Sequence, residues 1–155
     1  MKHSKSKQAT GMVDTSVKEI SRRVARATAT LQLSQKVFQL LLKQGSPKGN
    51  VFETAKLAGI MAAKSTPQMI PLCHPLEINK VTVNFVVNKK KSQIIAQSEV
   101  ACLGRTGVEM EALAAASIAV LTIYDMMKWA GQDMTMTDVM LLHKSGGKSG
   151  TYNRR

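Results

Sequence analysis

Apolar positions in this chain follow two periods, and their alternation along the sequence outlines the fold. From Ile78 to Val87 the residues Val81, Val83, Phe85 and Val87 recur every second position, the spacing of a strand. Asn88-Lys89-Lys90-Lys91 turns the chain, and Ser92 to Leu103 forms a second strand of an antiparallel hairpin. Val24 to Leu31 carries a weaker strand pattern, and Met134 to Lys144 predicts the last strand. Val37, Leu40 and Leu41 have helical spacing, predicting a helix over Ser34 to Lys43 that Gly45 and Pro47 stop. Asn50 and Glu53 stand at N-cap and N3 spacing, close to a capping box. The helix they open lines Val51, Ala55, Ala58 and Ala62 on one face and ends by Thr66, before Pro67. Pro71 and Pro75 keep Ile70 to Pro75 out of a helix. Val108 to Ala130 reads as a long helix, rich in alanine and apolar nearly all round, so it is expected to be buried against the sheet or a partner. Gly131 closes it, and SGGKSGTYNRR follows as a loose tail.

Hairpin strands with two or three helices predict an α+β fold, helices packed on one face of a mostly antiparallel sheet. Residues 1–11 form a basic, flexible arm, residues 12–150 a single domain and residues 151–155 a flexible tail. The longest apolar run, Ala112 to Tyr124, is too short for a membrane span, and the basic start lacks the apolar region of a secretory signal. Cys73 and Cys102 are too few for a disulfide framework, and a reducing cytoplasm is the simplest home.

Charge changes the picture. There are 22 Lys and Arg against 10 Asp and Glu, and residues 1–48 carry +8 of the net +12. Such a balance favours an anionic partner: nucleic acid, nucleotide, phosphate or acidic lipid. Aromatic residues make up only 4%, too few for base-stacking platforms, and no RRM, KH or zinc-finger pattern is present.

Several residues bear chemistry, each with a bland counterpart. His74 lies between Cys73 and Pro75, where rigid backbone aims an imidazole or merely fixes a turn. Cys73 and His74 are neighbours that diverge, which argues against a zinc site or a nucleophilic pair. Asp125 and Lys128 share one face at the end of the long helix. Emerging from apolar sequence, they are expected to have shifted pKa values suited to proton transfer, or else to form a surface ion pair of little worth. Glu109 and Glu111 open the same helix, where acids complement its dipole. Glu111 and Asp125 stand ~21 Å apart along the helix, too far to serve one small reacting centre within a chain. Two copies of the helix packed antiparallel across a dimer axis would bring them together. Lys48 precedes a helix N-terminus, a place that suits an anion, although a solvated loop lysine is commoner. Gly147-Lys148-Ser149 has the ending of a P-loop, but Leu142 stands where the first glycine is needed. Lys144 and Lys148 then belong either to a glycine-rich flap over a phosphate or to a disordered tail.

Seven ordered strings carry a family likeness: Met12-Val13-Asp14, Lys48-Gly49, Ala58 to Lys64, Ile70 to Leu76, Thr106 to Leu113, Leu121 to Lys128 and Lys144 to Gly150. Together they resemble the cyclic pyranopterin monophosphate synthases, the molybdenum cofactor biosynthesis protein C family. The resemblance implies a ferredoxin-like subunit, a homo-hexamer built as a trimer of dimers, and a cytoplasmic lyase that uses no cofactor or metal. It implies a nucleotide-derived substrate, 3′,8-cyclo-7,8-dihydro-GTP, turned into cyclic pyranopterin monophosphate with release of pyrophosphate. By the same likeness Asp125, Lys128 and Lys48 are the expected catalytic residues, in a catalytic domain over 12–150. Leu72, Cys73, His74, Glu109, Met110 and Glu111 are the expected substrate contacts, joined by Arg23, Lys64, Lys144 and Lys148. Asn50 stands where the family usually has Asp, and Trp129 where a small residue is common. Neither nucleic acid nor membrane is implied as a partner; a non-catalytic basic module that binds RNA or nucleotide is the alternative.

Overall fold

The computed structural model describes residues 9–155, so most of the basic arm expected at 1–11 lies outside the described residues. Strands β1 (Ser21–Gln32), β2 (Ile78–Asn88), β3 (Gln93–Gly104), β4 (Thr135–Ser145) and β5 (Tyr152–Asn153) form one antiparallel sheet in the order β2-β3-β1-β4-β5. Helices α1 (Gln35–Lys43), α2 (Val51–Lys64) and α3 (Thr66–Met69) connect β1 to β2, and α4 (Glu109–Met127) connects β3 to β4. The order and directions of the first four strands are those of a ferredoxin-like β-α-β-β-α-β fold.

Local chemistry sets the helix limits. The Ser34 and Asn50 side chains accept from the backbone N–H of Val37 and Glu53, capping α1 and α2 as N-cap residues do. Helix α2 ends before Pro67 as expected, but a further short helix follows that the sequence pattern does not predict. The chain pauses at Ser65 and starts a second helix, α3, with Pro67 in its first turn, where a missing N–H costs nothing.

β1 is the centre of the sheet and is longer than its weak pattern suggests, pairing with β3 from Ser21↔Gly104 to Gln32↔Gln93. Its alanines Ala25, Ala27 and Ala29 are fully buried, as are Ala112, Ala115, Ala116 and Ala119 of α4. Small residues on both elements let α4 lie close on the sheet, and Ser98 Oγ donates to the Ala112 carbonyl across that seam. Helix α4 has the length and composition of a membrane span, more than the run from Ala112 to Tyr124 suggested. Its apolarity instead fills the core between the sheet and α2.

Gly59 sets the α2–α4 distance. A Cβ there would stand 2.8 Å from the Ala115 carbonyl oxygen and 3.0 Å from Val83. Backbone cannot swing aside, so Gly59→Ala should destabilise the fold by about 1–3 kcal/mol, read as a lower denaturation midpoint.

The expected loose tail is not wholly loose. Tyr152 and Asn153 pair with Lys144 and His143 on the outer edge of β4. Two residues carry no readable period, so only the neighbouring strand reveals them.

Candidate active site

The two ends of α4 hold two separate sets of functional side chains. At its N-terminal end, Glu109, Met110 and Glu111 meet Leu72, Cys73 and His74 around a hollow of about 350 Å³. The kinked Ile70–Pro75 segment brings the imidazole here. His74 Nε2 lies 2.7 Å from the Val13 carbonyl oxygen, which can only accept, so Nε2 carries the proton. The segment before β1 is thereby strapped across the hollow. Arg105 holds the same strap by donating through Nη1 to the carbonyls of Ser16 and Lys18.

A larger cleft of about 680 Å³ adjoins this hollow and shares Lys18, Thr106, Gly107 and Glu109 with it. Five cations line it, Lys18, Arg23, Arg105, Lys144 and Lys148, against the carboxylates of Glu19 and Glu109. The glycine-rich segment after β4 folds over the cleft, as the flap reading expects. Gly146 and Gly147 adopt φ of +97° and +75°. Side chains at those positions would clash with the Arg22 carbonyl and the Arg23 guanidinium. Arg23 is buried, and its Nε donates to the Gly104 carbonyl at 3.2 Å. Lys144 Nζ sits 3.2 Å from Glu109 Oε1, so a carboxylate of the protein occupies a cation that an anionic ligand could take.

At the opposite end of α4, Asp125 joins two lysines. Its Oδ2 accepts from Lys48 Nζ at 2.7 Å and its Oδ1 lies 2.8 Å from Lys128 Nζ. Lys48 reaches the helix from the Ser46–Gly49 turn, whose Ser46 Oγ donates to the Met126 carbonyl. Lys64 stands apart from both sets. It lines a third hollow beside Lys80, joined to the His74 hollow through Leu76.

The electrostatics correct one expectation. Hydrogen bonds from Lys128 and then Lys48 pull the Asp125 carboxyl down to about 2, and Asp125 in turn raises the Lys128 ammonium. Both shifts run away from neutrality, because opposite charges meet here in solvent, without the burial that would disfavour ionisation. Glu111 behaves differently. Only 3% of it is exposed, and burial raises its carboxyl, with the Glu109 charge adding to the rise. Burial and then Glu111 also raise the Cys73 thiol, which keeps it protonated and unsuited to nucleophilic attack. Cys73 and Cys102 are both free thiols, and among the described residues no three His, Cys, Asp or Glu side chains converge on a point.

Burying Glu111 and raising its carboxyl costs stability at neutral pH; the cost shrinks as pH falls below the raised pKa and is gone below the ordinary glutamate range. Glu111→Gln should therefore raise Tm by a few degrees at pH 7, with a gain that shrinks in acid. Calorimetry at two pH values checks this, and a lower Tm at pH 7 would contradict it.

Sequence reading missed Lys18 and Arg105. Lys18 follows the Met12-Val13-Asp14 string, and Arg105 lies one residue before Thr106. Each therefore sits beside a string already singled out, which was the available signal.

These features define a ferredoxin-like α+β protein with a cation-rich cleft, an imidazole and buried acid beside it, and an ammonium–carboxylate cluster at the far end of one helix. The chain belongs to the MoaC family, whose model matches residues 12–147. It is 45% identical over 153 residues to the cyclic pyranopterin monophosphate synthase of Parvibaculum lavamentivorans, covering 99% of this chain and 96% of that one. It is 48% identical over 141 residues to the protein of the same name from Desulfatibacillum aliphaticivorans, covering 91% and 89%. The Rhodospirillum rubrum protein of that name is 45% identical over 141 residues, covering 91% and 85%.

Proposed function

We propose that this chain is a lyase of molybdenum cofactor biosynthesis that converts 3′,8-cyclo-7,8-dihydro-GTP to cyclic pyranopterin monophosphate and releases pyrophosphate. The reaction opens a purine-derived ring, closes a new one and closes a cyclic phosphate ester. It needs protons moved and a triphosphate held. The five-cation cleft suits the triphosphate, and Lys144 exchanges Glu109 for a phosphate oxygen when substrate arrives. His74 and Glu111 border the neighbouring hollow that takes the ring. Lys48 and Lys128 serve as ammonium donors, and Asp125 holds them on one point. Once substrate excludes water, further desolvation opposes the rise that Asp125 imposes on the Lys128 ammonium.

The observation that carries this reading is the division of these groups between the ends of α4, ~21 Å apart from Glu111 to Asp125. One ligand can meet both sets only where two copies pack with their α4 helices antiparallel. Leu57 and Met61 of α2 and Leu121 of α4 stand exposed on the helical layer, which suits burial against another copy. By the family likeness such dimers assemble three to a homo-hexamer and work in the cytoplasm on a small nucleotide-derived molecule.

The test is incubation of the purified protein with the cyclised GTP compound, following pyrophosphate and the pterin product together. Release of both supports the reading. No release, with steeply salt-dependent binding to generic RNA, would favour a non-catalytic basic module.

A further inference from the structure

The match to the family model ends at residue 147, yet the chain beyond it returns to the sheet and closes the loop that carries Lys148. We infer that β5 is a positioning element for the Gly146–Thr151 loop, and that the contact of Asn153 with His143 is its latch. The inference rests on the proposed function for what the loop holds, an anionic phosphate group, but not for how the loop is held.

The loop needs such a device. Gly146, Gly147 and Gly150 all take positive φ, +97°, +75° and +70°. A segment so rich in glycine loses much conformational freedom when it is fixed in one form. On its upstream side Gly146 and Gly147 rest against Arg22 and Arg23. Its downstream end is fixed by β5. Asn153 pairs with His143 and Tyr152 with Lys144, and the Arg154 N–H donates to the Leu142 carbonyl at 2.8 Å. His143 Nδ1 lies 2.7 Å from Asn153 Oδ1; the amide oxygen accepts, so Nδ1 donates. Within the loop, the Gly150 N–H donates to the Gly147 carbonyl, and Lys144 Nζ reaches Ser149 Oγ at 3.4 Å.

Lys148 thus sits on a loop anchored at both ends, at the rim of the cation-rich cleft. Cut the downstream anchor and the ligand must order the loop as it binds. That entropy is charged against binding, with little effect on the chemistry at the other end of the site. His143 and Asn153 touch neither cleft, so their effect passes through the loop.

The test compares the full chain with Asn153→Ala, Asn153→Asp and a chain ending at Gly150. Two readouts are used: deuterium exchange of the amides from Ser145 to Gly150, and KM and kcat for the cyclised GTP compound. The shortened chain should exchange these amides faster and show KM raised about tenfold with kcat within about twofold of the full chain. Asn153→Ala should do the same to a smaller degree, about threefold in KM. Asn153→Asp keeps an accepting oxygen and should restore both readouts. Unchanged exchange in the shortened chain and in Asn153→Ala would overturn the inference, as would faster exchange with an unchanged KM. Failure of the full chain to release pyrophosphate would sink the proposed function instead, and the exchange readout would still decide the latch.

Discussion

Asp125→Ala should lower kcat by about a thousandfold while the variant folds and assembles as the unsubstituted chain does. Asp125 is half exposed, so its loss leaves no cavity and no unpaired buried charge. It removes the one group that holds Lys48 and Lys128 together, at 2.7 and 2.8 Å. Two ammonium groups without a carboxylate between them repel, and neither is held in place. Steady-state pyrophosphate release and gel filtration measure the two halves of this expectation. The pH behaviour follows from the same contacts. With its carboxyl drawn down to about 2, Asp125 adds to folding stability above the usual aspartate range, and the contribution is lost as pH falls through about 2. An acid limb of the rate profile nearer neutrality therefore belongs to another group, and the raised carboxyl of Glu111 is the one positioned to supply it.

Lys128→Ala and Lys48→Ala should each lower kcat by a hundredfold or more, about the cost of removing one donor from a charge-stabilising site. The two lysines arrive from different elements, one from the C-cap of α4 and the other from the turn before α2. Their losses should combine in the double variant to less than the product of the single effects, because both act through the same carboxylate. Lys→Arg at either position keeps a charge but exchanges a compact ammonium for a planar fork, and should recover only part of the rate. Near-normal turnover in both alanine variants would remove the proton-transfer role from this cluster.

Much of this architecture is legible in the sequence, and the gaps have physical causes. The β2–β3 hairpin shows because its strands alternate clearly and a polar turn separates them. Helix α4 shows because a run of alanines and aliphatics has only one easy form. β1 is faint for the opposite reason. As the central strand it is flanked on both sides, so its helix-facing alanines and outward threonines are alike buried, and the contrast that marks a strand is lost. α3 hides behind Pro67, and β5 is too short to carry a pattern. The separation of Glu111 from Asp125 follows from counting residues along a helix, and the fold keeps it. Lys18 and Arg105 could be read only as lying near matched strings; their place in the cleft could not, since a strap without periodicity carries Lys18 there from a distant part of the chain and Arg105 holds that strap. The second cause of the Asp125 shift was out of reach, because Lys48 stands 77 residues away, whereas the larger one, Lys128 three residues on, could be read from the spacing.

Mixing Asp125→Ala with Glu111→Gln, each expected to be inactive alone, tests the shared site most directly. In Asp125→Ala the N-terminal set on α4 is intact; in Glu111→Gln the C-terminal set is. If protomers exchange freely, half of the dimers are mixed, and each mixed dimer has one site built only from intact sets. Activity should return to about a quarter of that of the unsubstituted protein, as twofold symmetry requires. A mixture shown to contain mixed dimers yet still inactive would place each site within a single chain.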